Sequence, residues 1–109
     1  MMRPPQLEVI ELKSWLDEGR HLQLVDVREP HEWDICKIAQ TTHFIPLAHV
    51  PSRAVELDPD QTTVLLCRSG KRSLLALATL ANLGFSDLHN LKGGVLAWSD
   101  QVDSSLKTY

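Results

Sequence analysis

One cysteine of the chain lies in surroundings that would make it reactive. Cys67 ends an apolar, strand-like run and precedes a short loop around Gly70 that opens a helical pattern. Three basic residues follow it within five positions, namely Arg68, Lys71 and Arg72. Nearby positive charge and inward-pointing backbone N–H groups at the start of a helix both stabilise a thiolate relative to a thiol. We therefore expect the pKa of Cys67 to lie below that of a free cysteine.

The alternative interpretation is a buried, inert cysteine, since free cysteine is among the residue types most often found in protein cores. Three basic residues at the start of a helix would then be unfavourably placed, because the helix dipole favours negative charge there. An anion-binding site accounts for that placement better. We take Cys67 as the candidate nucleophile and the rest of the loop as the candidate substrate-binding residues: Arg68, Ser69, Gly70, Lys71, Arg72 and Ser73.

Length and composition exclude several classes of protein. With 109 residues, 43% hydrophobic and 23% charged, we expect one domain over residues 1–109, with a core at about residues 7–103 and flexible ends. A net charge of −3 argues against a nucleic-acid-binding protein, and the apolar runs are far shorter than the ~20 residues of a membrane span. The start of the chain lacks the apolar stretch of a signal peptide, so we expect a cytoplasmic protein. Neither the two cysteines nor the five histidines show metal-ligand or disulfide-scaffold spacing, so no metal is predicted.

Strand-like and helix-like patterns alternate along the chain. This alternation is typical of an α/β fold with a mainly parallel central sheet flanked by helices. In such sheets ligands bind at the carboxyl ends of the strands, which is where Cys67 falls. The predicted helices cover residues 9–18, 31–35, 47–55 and 72–83, and a closing helix follows the turn at residues 93–94 with Val95, Trp98 and Val102 on one face. The predicted strands cover residues 22–27, 44–47, 62–67 and 88–91.

Four short motifs occur in the order of a known family: LVDVRE at residues 24–29, IPL at 45–47, CRSGKRS at 67–73 and KGGVLAW at 92–98. From about residue 7 to residue 98 the chain resembles a single rhodanese (sulfurtransferase) domain. Its end, with a Ser-Leu tail that finishes in Tyr109, is similar to the rhodanese-like domain that closes molybdopterin- and thiamin-type adenylyltransferases. In those proteins a persulfide passes its sulfur to a ubiquitin-like carrier.

The resemblance implies a sulfurtransferase in which Cys67 takes sulfane sulfur from a small anionic donor such as thiosulfate. The resulting persulfide would give its sulfur to cyanide, a thiol or a ubiquitin-like sulfur-carrier protein. Lys71 and Arg72 are expected to attract the donor and stabilise the departing anion. No general base, metal or organic cofactor is required. Asp26 and Arg28 match an Asp-x-Arg of the family near the loop, where we expect a buried ion pair; the alternative is that Arg28 contacts the substrate.

Two other functions remain open at this point. Phosphatases related to this family use a C-x5-R loop, whereas the loop here reads C-x4-R from Cys67 to Arg72, so phosphatase or arsenate chemistry is disfavoured. A rhodanese-like module kept only for binding or regulation is the other alternative, although such modules often lose the cysteine. A persulfide on Cys67, or its absence, separates these possibilities.

The segment from residue 36 to 46 departs from the family pattern. Cys36 stands where the family usually has a glycine and Lys37 where it has a histidine, with one residue inserted, so we expect a distorted path there. Cys36 is either a resolving thiol for Cys67 or a simple substitution. The nearby acidic residues are predicted to form a solvated face or a docking surface: Glu29, Glu32 and Asp34.

Overall fold

The computed structural model describes residues 5–109 and shows the α/β fold expected from the sequence. Within those residues five strands form one sheet in the order β1-β5-β4-β2-β3, and every neighbouring pair is parallel. The strands are β1 (Gln6–Leu7), β2 (Gln23–Asp26), β3 (His43–Phe44), β4 (Thr63–Leu66) and β5 (Leu88–Leu91). The helices are α1 (Val9–Asp17), α2 (Pro30–Ile35), α3 (Val50–Arg53), α4 (Lys71–Asn82) and α5 (Gly94–Gln101).

Apolar side chains pack on both faces of the sheet, and the two central strands β2 and β4 are buried along their whole length. One core cluster joins alternate strand residues to α3 and α4, and the other joins the remaining strand residues to α1 and α5. Along β4, Leu65 belongs to the first cluster, whereas Val64 and Leu66 belong to the second. The same alternation brings Cys67 to the α3–α4 face of the sheet. The side chain of the candidate nucleophile thus faces the helix that follows it.

The predicted strand at residues 44–47 is wrong in its extent. The strand covers only His43–Phe44, because Pro46 has no N–H to donate to a ladder. The pairing still continues on either side of the proline, since the N–H of Ile45 donates to Asp26 O and that of Leu47 to Val27 O, each at 3.0 Å. The predicted helix at residues 47–55 is divided into a 3₁₀ turn (Leu47–His49), α3 and a second 3₁₀ turn (Ala54–Glu56).

The two ends of the chain differ from what composition suggests. Gln6–Leu7 forms β1 beside β5, and this strand was missed because two residues carry no periodic signal. Leu106 and Tyr109, in the segment predicted to be flexible, pack against the second core cluster. Residues 1–4 of the predicted loose N-terminus lie outside the described residues. No helix in the described part of the chain combines the length and apolar character needed to cross a membrane.

The segment that departs from the family pattern adopts an unstrained path. Cys36 follows α2 with φ −164° and ψ 158°, an extended conformation that any residue can adopt. A glycine is therefore not needed at this position, and the distortion expected from its replacement is absent at Cys36. Both Cys36 and Cys67 are buried and free.

Candidate active site

Two glycines and the first turn of α5 fix the loop that follows β4. The main-chain oxygens of Cys67 and Arg68 accept hydrogen bonds from the N–H groups of Val95 and Leu96, at 3.0 and 3.2 Å. A Cβ at Gly94 would lie 2.6 Å from the oxygen of Arg68 and closer still to that of Cys67. Only a residue without a side chain permits this approach of helix and loop.

Gly70 makes the turn that leads from the loop into α4. Its φ of +102° belongs to the left-handed region, and it caps the helix. Its main-chain oxygen accepts a hydrogen bond from the buried side chain of Asn90 at 3.2 Å. Its N–H donates a hydrogen bond to the sulfur of Cys67, with the nitrogen 3.0 Å from the sulfur.

The Cys67 thiol is buried, with 1% of the residue exposed, and is surrounded by hydrogen-bond donors. Besides the Gly70 N–H, the hydroxyl of the fully buried Ser73 shares a hydrogen bond with the sulfur at 3.4 Å. Burial alone would raise the pKa of Cys67, but hydrogen bonds from Ser73 and from the Gly70 and Ser69 N–H groups outweigh it and lower the pKa. The direction expected from the sequence is thus confirmed, with neutral donors as the main cause rather than the basic side chains.

Arg72 binds a carboxylate of this chain. Its two terminal nitrogens lie 2.7 and 2.8 Å from the two oxygens of Glu32, a bidentate pair. The hydrogen bond from Arg72 is the main reason that the pKa of Glu32 falls to about 2, and the same pair raises the pKa of Arg72. Glu32 is 6% exposed, so its assignment to a solvated acidic face is wrong. Because the pair spans 40 positions of sequence, local pattern carries no signal for it.

Asp26 and Arg28, at the end of β2, form a fully buried ion pair. Arg28 Nη2 lies 2.7 Å from Asp26 Oδ2, and both residues are 0% exposed. Arg28 Nη2 also donates to the main-chain oxygen of Cys36 at 2.8 Å, and the sulfur of Cys36 lies 3.8 Å from Arg28 Nη1. Burial would lower the pKa of Arg28, but hydrogen bonds to Asp26 and Tyr109 raise it. Arg28 is therefore a charged donor whose position is fixed by Asp26 and by the main-chain oxygen of Cys36.

Tyr109 joins this group from the far end of the described chain. Its hydroxyl accepts a hydrogen bond from Arg28 Nη1 at 2.9 Å and donates one to Glu32 Oε1 at 2.8 Å. Its main-chain oxygen accepts hydrogen bonds from Arg68 Nε, at 2.6 Å, and from Arg68 Nη2. Sequence reasoning noted the tail only as a point of likeness and assigned Tyr109 no role.

The remaining loop residues are more open. Ser69 and Lys71 are both exposed, and within residues 5–109 the Lys71 ammonium has no ion-pair partner. The site therefore combines a buried, activated sulfur with one free cation at its rim. This arrangement suits a nucleophilic thiolate that attracts an anion.

Comparison with known proteins agrees with this chemistry. The family model described as the rhodanese-like domain matches residues 8–101. The chain belongs to the rhodanese-like family. Several of its relatives are named as sulfurtransferases, which supports a rhodanese-type sulfurtransferase family for this chain.

Three relatives show how the rhodanese-like domain is used. This chain is 44% identical over 101 residues to the probable adenylyltransferase/sulfurtransferase MoeZ of Mycobacterium tuberculosis, covering 91% of itself but only 26% of MoeZ. It is 33% identical over 101 residues to the putative sulfurtransferase YtwF of Bacillus subtilis, covering 93% of itself and 96% of YtwF. The human single-domain sulfurtransferase TSTD1 matches with a TM-score of 0.79 and 26% identity, over 91% of this chain and 98% of that one.

Proposed function

We propose that this chain is a sulfurtransferase that carries sulfane sulfur on Cys67 as a persulfide. The observation that supports it most is the cradle of donors around the buried sulfur, in which the Gly70 N–H and the Ser73 hydroxyl hold the thiolate form. A thiolate is the nucleophilic form of cysteine, and here it forms without a neighbouring base. The names of the relatives support the same reaction type.

The proposed reaction has two displacements. The Cys67 thiolate attacks the outer sulfur of thiosulfate; a new S–S bond forms, the old S–S bond breaks, and sulfite leaves with the bonding electrons. A nucleophilic acceptor then attacks the terminal sulfur of the persulfide, and the Cys67 thiolate is regenerated. With cyanide as acceptor the product is thiocyanate. No electrons are gained or lost overall, so neither an oxidant nor a metal is required.

The loop residues divide this work among them. The loop N–H groups between residues 68 and 73 stabilise the negative charge of the terminal sulfur, as those of Ser69, Gly70 and Ser73 stabilise the thiolate. Lys71, exposed and without a partner in the described chain, attracts the anionic donor. Arg72 contributes positive charge near the sulfur from a position that Glu32 fixes.

The proposed acceptors are a thiol or a sulfur-carrier protein, and the proposed compartment is cytoplasmic. A thiol, like cyanide, is a nucleophile that can take the terminal sulfur, and the sulfur-carrier acceptor is proposed from the likeness to MoeZ, whose name joins adenylyltransferase to sulfurtransferase. The cycle needs Cys67 as a free thiol, and both cysteines are free in the structure. A reducing compartment keeps them in that state.

Intact mass after incubation with thiosulfate tests the proposal directly. The protein should gain the mass of one sulfur atom and lose it again when cyanide is added. Cys67→Ser should show no gain while its urea unfolding midpoint stays near that of the parent chain. Cys36→Ser is the matched control, because it removes the other buried thiol, and it should gain sulfur as the parent does.

Two results would contradict the proposal. Sulfur gain that survives in Cys67→Ser would assign the chemistry to another residue. A parent chain that gains no sulfur from thiosulfate, and also none from 3-mercaptopyruvate or a cysteine desulfurase, would leave a binding module in place of an enzyme.

A further inference from the structure

Three basic side chains of the loop were predicted to bind the anionic donor, and two of them are already bound by groups of the chain itself. Arg72 is bound by Glu32, and Arg68 is bound by the main-chain oxygen of Tyr109. Within residues 5–109 only Lys71 of the three is left without an ion-pair or hydrogen-bond partner of its side chain. The loop therefore offers an incoming anion less positive charge than its sequence suggests.

The segment that reaches Arg68 is tied down at two points, and we call residues 106–109 the strap. At its start, the main-chain oxygen of Leu106 accepts a hydrogen bond from the Ser99 hydroxyl of α5 at 2.9 Å, and Leu106 packs against the second core cluster. At its end, the ring of Tyr109 lies 5.0 Å from the guanidinium carbon of Arg68 and 5.9 Å from that of Arg28. The two residues between, Lys107 and Thr108, are exposed. The strap is thus a bridge from α5 to the loop.

Tyr109 is held more strongly through its hydroxyl than through its main-chain oxygen. Its hydroxyl is held between Arg28, which is fully buried and paired with Asp26, and Glu32, which is nearly buried. Both partners are buried and charged, so the hydrogen bonds that hold the hydroxyl are shielded from water. The Arg68 contact is only partly buried, and both of its hydrogen bonds go to one oxygen atom, whereas an anion with two oxygens can bind a guanidinium through two parallel hydrogen bonds. An anion can therefore compete for Arg68, but only at the cost of this contact.

The strap lies close to the loop that carries the sulfur. Arg68, which Tyr109 binds, is the residue next to Cys67, and the Tyr109 hydroxyl and Arg72 bind the same carboxylate of Glu32. We propose that Tyr109 is a specificity-determining residue: by occupying Arg68 it weakens the binding of small anionic reagents at Cys67, while neutral reagents, which do not use Arg68, are unaffected. The donor-selectivity part of this inference rests on the proposed sulfur transfer, whereas the masking of Arg68 does not.

Alkylation of Cys67 by two reagents of nearly equal size shows whether the charge of the reagent, and not only the accessibility of the sulfur, affects the rate. In both reactions an S–C bond forms and iodide leaves, but iodoacetate is an anion and iodoacetamide is neutral. In a Cys36→Ser background, a chain shortened to end at residue 105 should raise the ratio of the iodoacetate rate to the iodoacetamide rate by roughly threefold to tenfold, since a charge-assisted contact becomes available. With Arg68→Ala added, the shortening should leave that ratio unchanged.

Two single substitutions keep the test valid if the shortened chain unfolds. Tyr109→Phe keeps the ring and loses both hydroxyl contacts, so it should raise the ratio in the same direction by a smaller factor. Thr108→Ala is the matched control in the strap, because the side chain is exposed and makes no side-chain hydrogen bond within residues 5–109, and it should leave the ratio unchanged. A ratio that stays constant in both the shortened chain and Tyr109→Phe overturns the inference, as does an equal rise in the Arg68→Ala background.

Sulfur transfer gives the second readout. The shortened chain should show a lower KM for thiosulfate, by a similar factor, with kcat little changed, because the strap acts on donor binding and does not contact the sulfur. If no persulfide forms in any variant, the proposed function fails while the alkylation ratio still decides the role of Tyr109. If persulfide forms but KM rises or kcat alone changes, the strap is not a selectivity device.

Discussion

The Cys67 sulfur is activated by hydrogen bonds more than by the charges around it. The sequence predicted a lowered pKa from the run of basic residues, and the direction is correct, but the donors that lower it are the Ser73 hydroxyl and backbone N–H groups. The Ser73 hydroxyl reaches the sulfur because of the turn at Gly70. The sequence shows that a turn occurs there, but not which side chain the turn brings to the sulfur. Residue types thus predicted the chemistry, while the turn determined which atoms perform it.

Ser73→Ala should therefore raise the pKa of Cys67. The hydrogen bond from Ser73 stabilises the thiolate. Without it, fewer hydrogen bonds offset the effect of burial, which raises the pKa of Cys67. At pH 7 the rate of iodoacetamide alkylation should fall roughly threefold to tenfold, given the usual strength of hydrogen bonds to charged groups. Ser69→Ala is the control, because the exposed Ser69 contributes through its backbone N–H and the substitution keeps that group. A pH profile of alkylation that is the same for Ser73→Ala and the parent would contradict this assignment.

At the scale of elements, the start of α5 is the support on which the active-site loop rests. The sequence predicted the unit formed by β4, the loop and α4 almost to the residue, since its apolar run, glycine turn and helical period are all local signals. It also predicted a helix after the glycine pair at residues 93–94. What it could not show is that this helix donates two N–H groups to the loop, because that contact joins segments far apart in the chain.

Gly94→Ala should be much more damaging than an alanine at another glycine of similar conformation. The new Cβ would meet the main-chain oxygens of Cys67 and Arg68, so the loop and α5 would have to separate. Gly19→Ala is the control: its φ is +75° against +56° at Gly94, and nothing lies within 4 Å of the added atom. In urea unfolding we expect a cost of about 1 kcal/mol at Gly19, from backbone conformation alone, and at least about 3 kcal/mol or complete unfolding at Gly94. Equal costs at the two positions would show that contact with the loop is unimportant.

At the scale of the whole molecule, one polar network joins β2, α2, the loop and the strap. Arg28, Glu32, Arg72 and Tyr109 are connected through hydrogen bonds of 2.7 to 2.9 Å. Glu32 and Tyr109 are 77 positions apart. The parallel sheet could be predicted because strand and helix patterns repeat along the chain. The network could not, because Glu32 looks like a surface residue in sequence and nothing local connects it to Arg72 or Tyr109. Only the folded chain brings them together.

This network should make stability depend on pH through Glu32. Its pKa is about 2 in the folded chain, below the ordinary 4.5, so it stabilises the fold above pH 4.5 and that stability is lost as pH falls towards 2. Glu32→Gln should lower the free energy of unfolding at pH 7 by up to about 3 kcal/mol, and the difference from the parent should shrink between pH 4.5 and 2. Glu56→Gln, which breaks an exposed pair with Arg53, should have little effect at any pH. A difference for Glu32→Gln that is constant from pH 7 to pH 2 would rule out the ion pair as its source.

The pairing of β1 with β5 has a consequence for the time course of folding. Gln6 pairs with Asn90, and the Asn90 side chain binds both the Gln6 side chain, 84 positions away, and the main-chain oxygen of Gly70. A contact between such distant segments closes a long loop of chain, so it forms late and slowly compared with local helices. On a ribosome it has to wait until residue 90 has been synthesised and released from the exit tunnel. We therefore expect the hydrogen bond between Gln6 and Asn90, which holds the side chain that binds Gly70, to form at a late stage of folding.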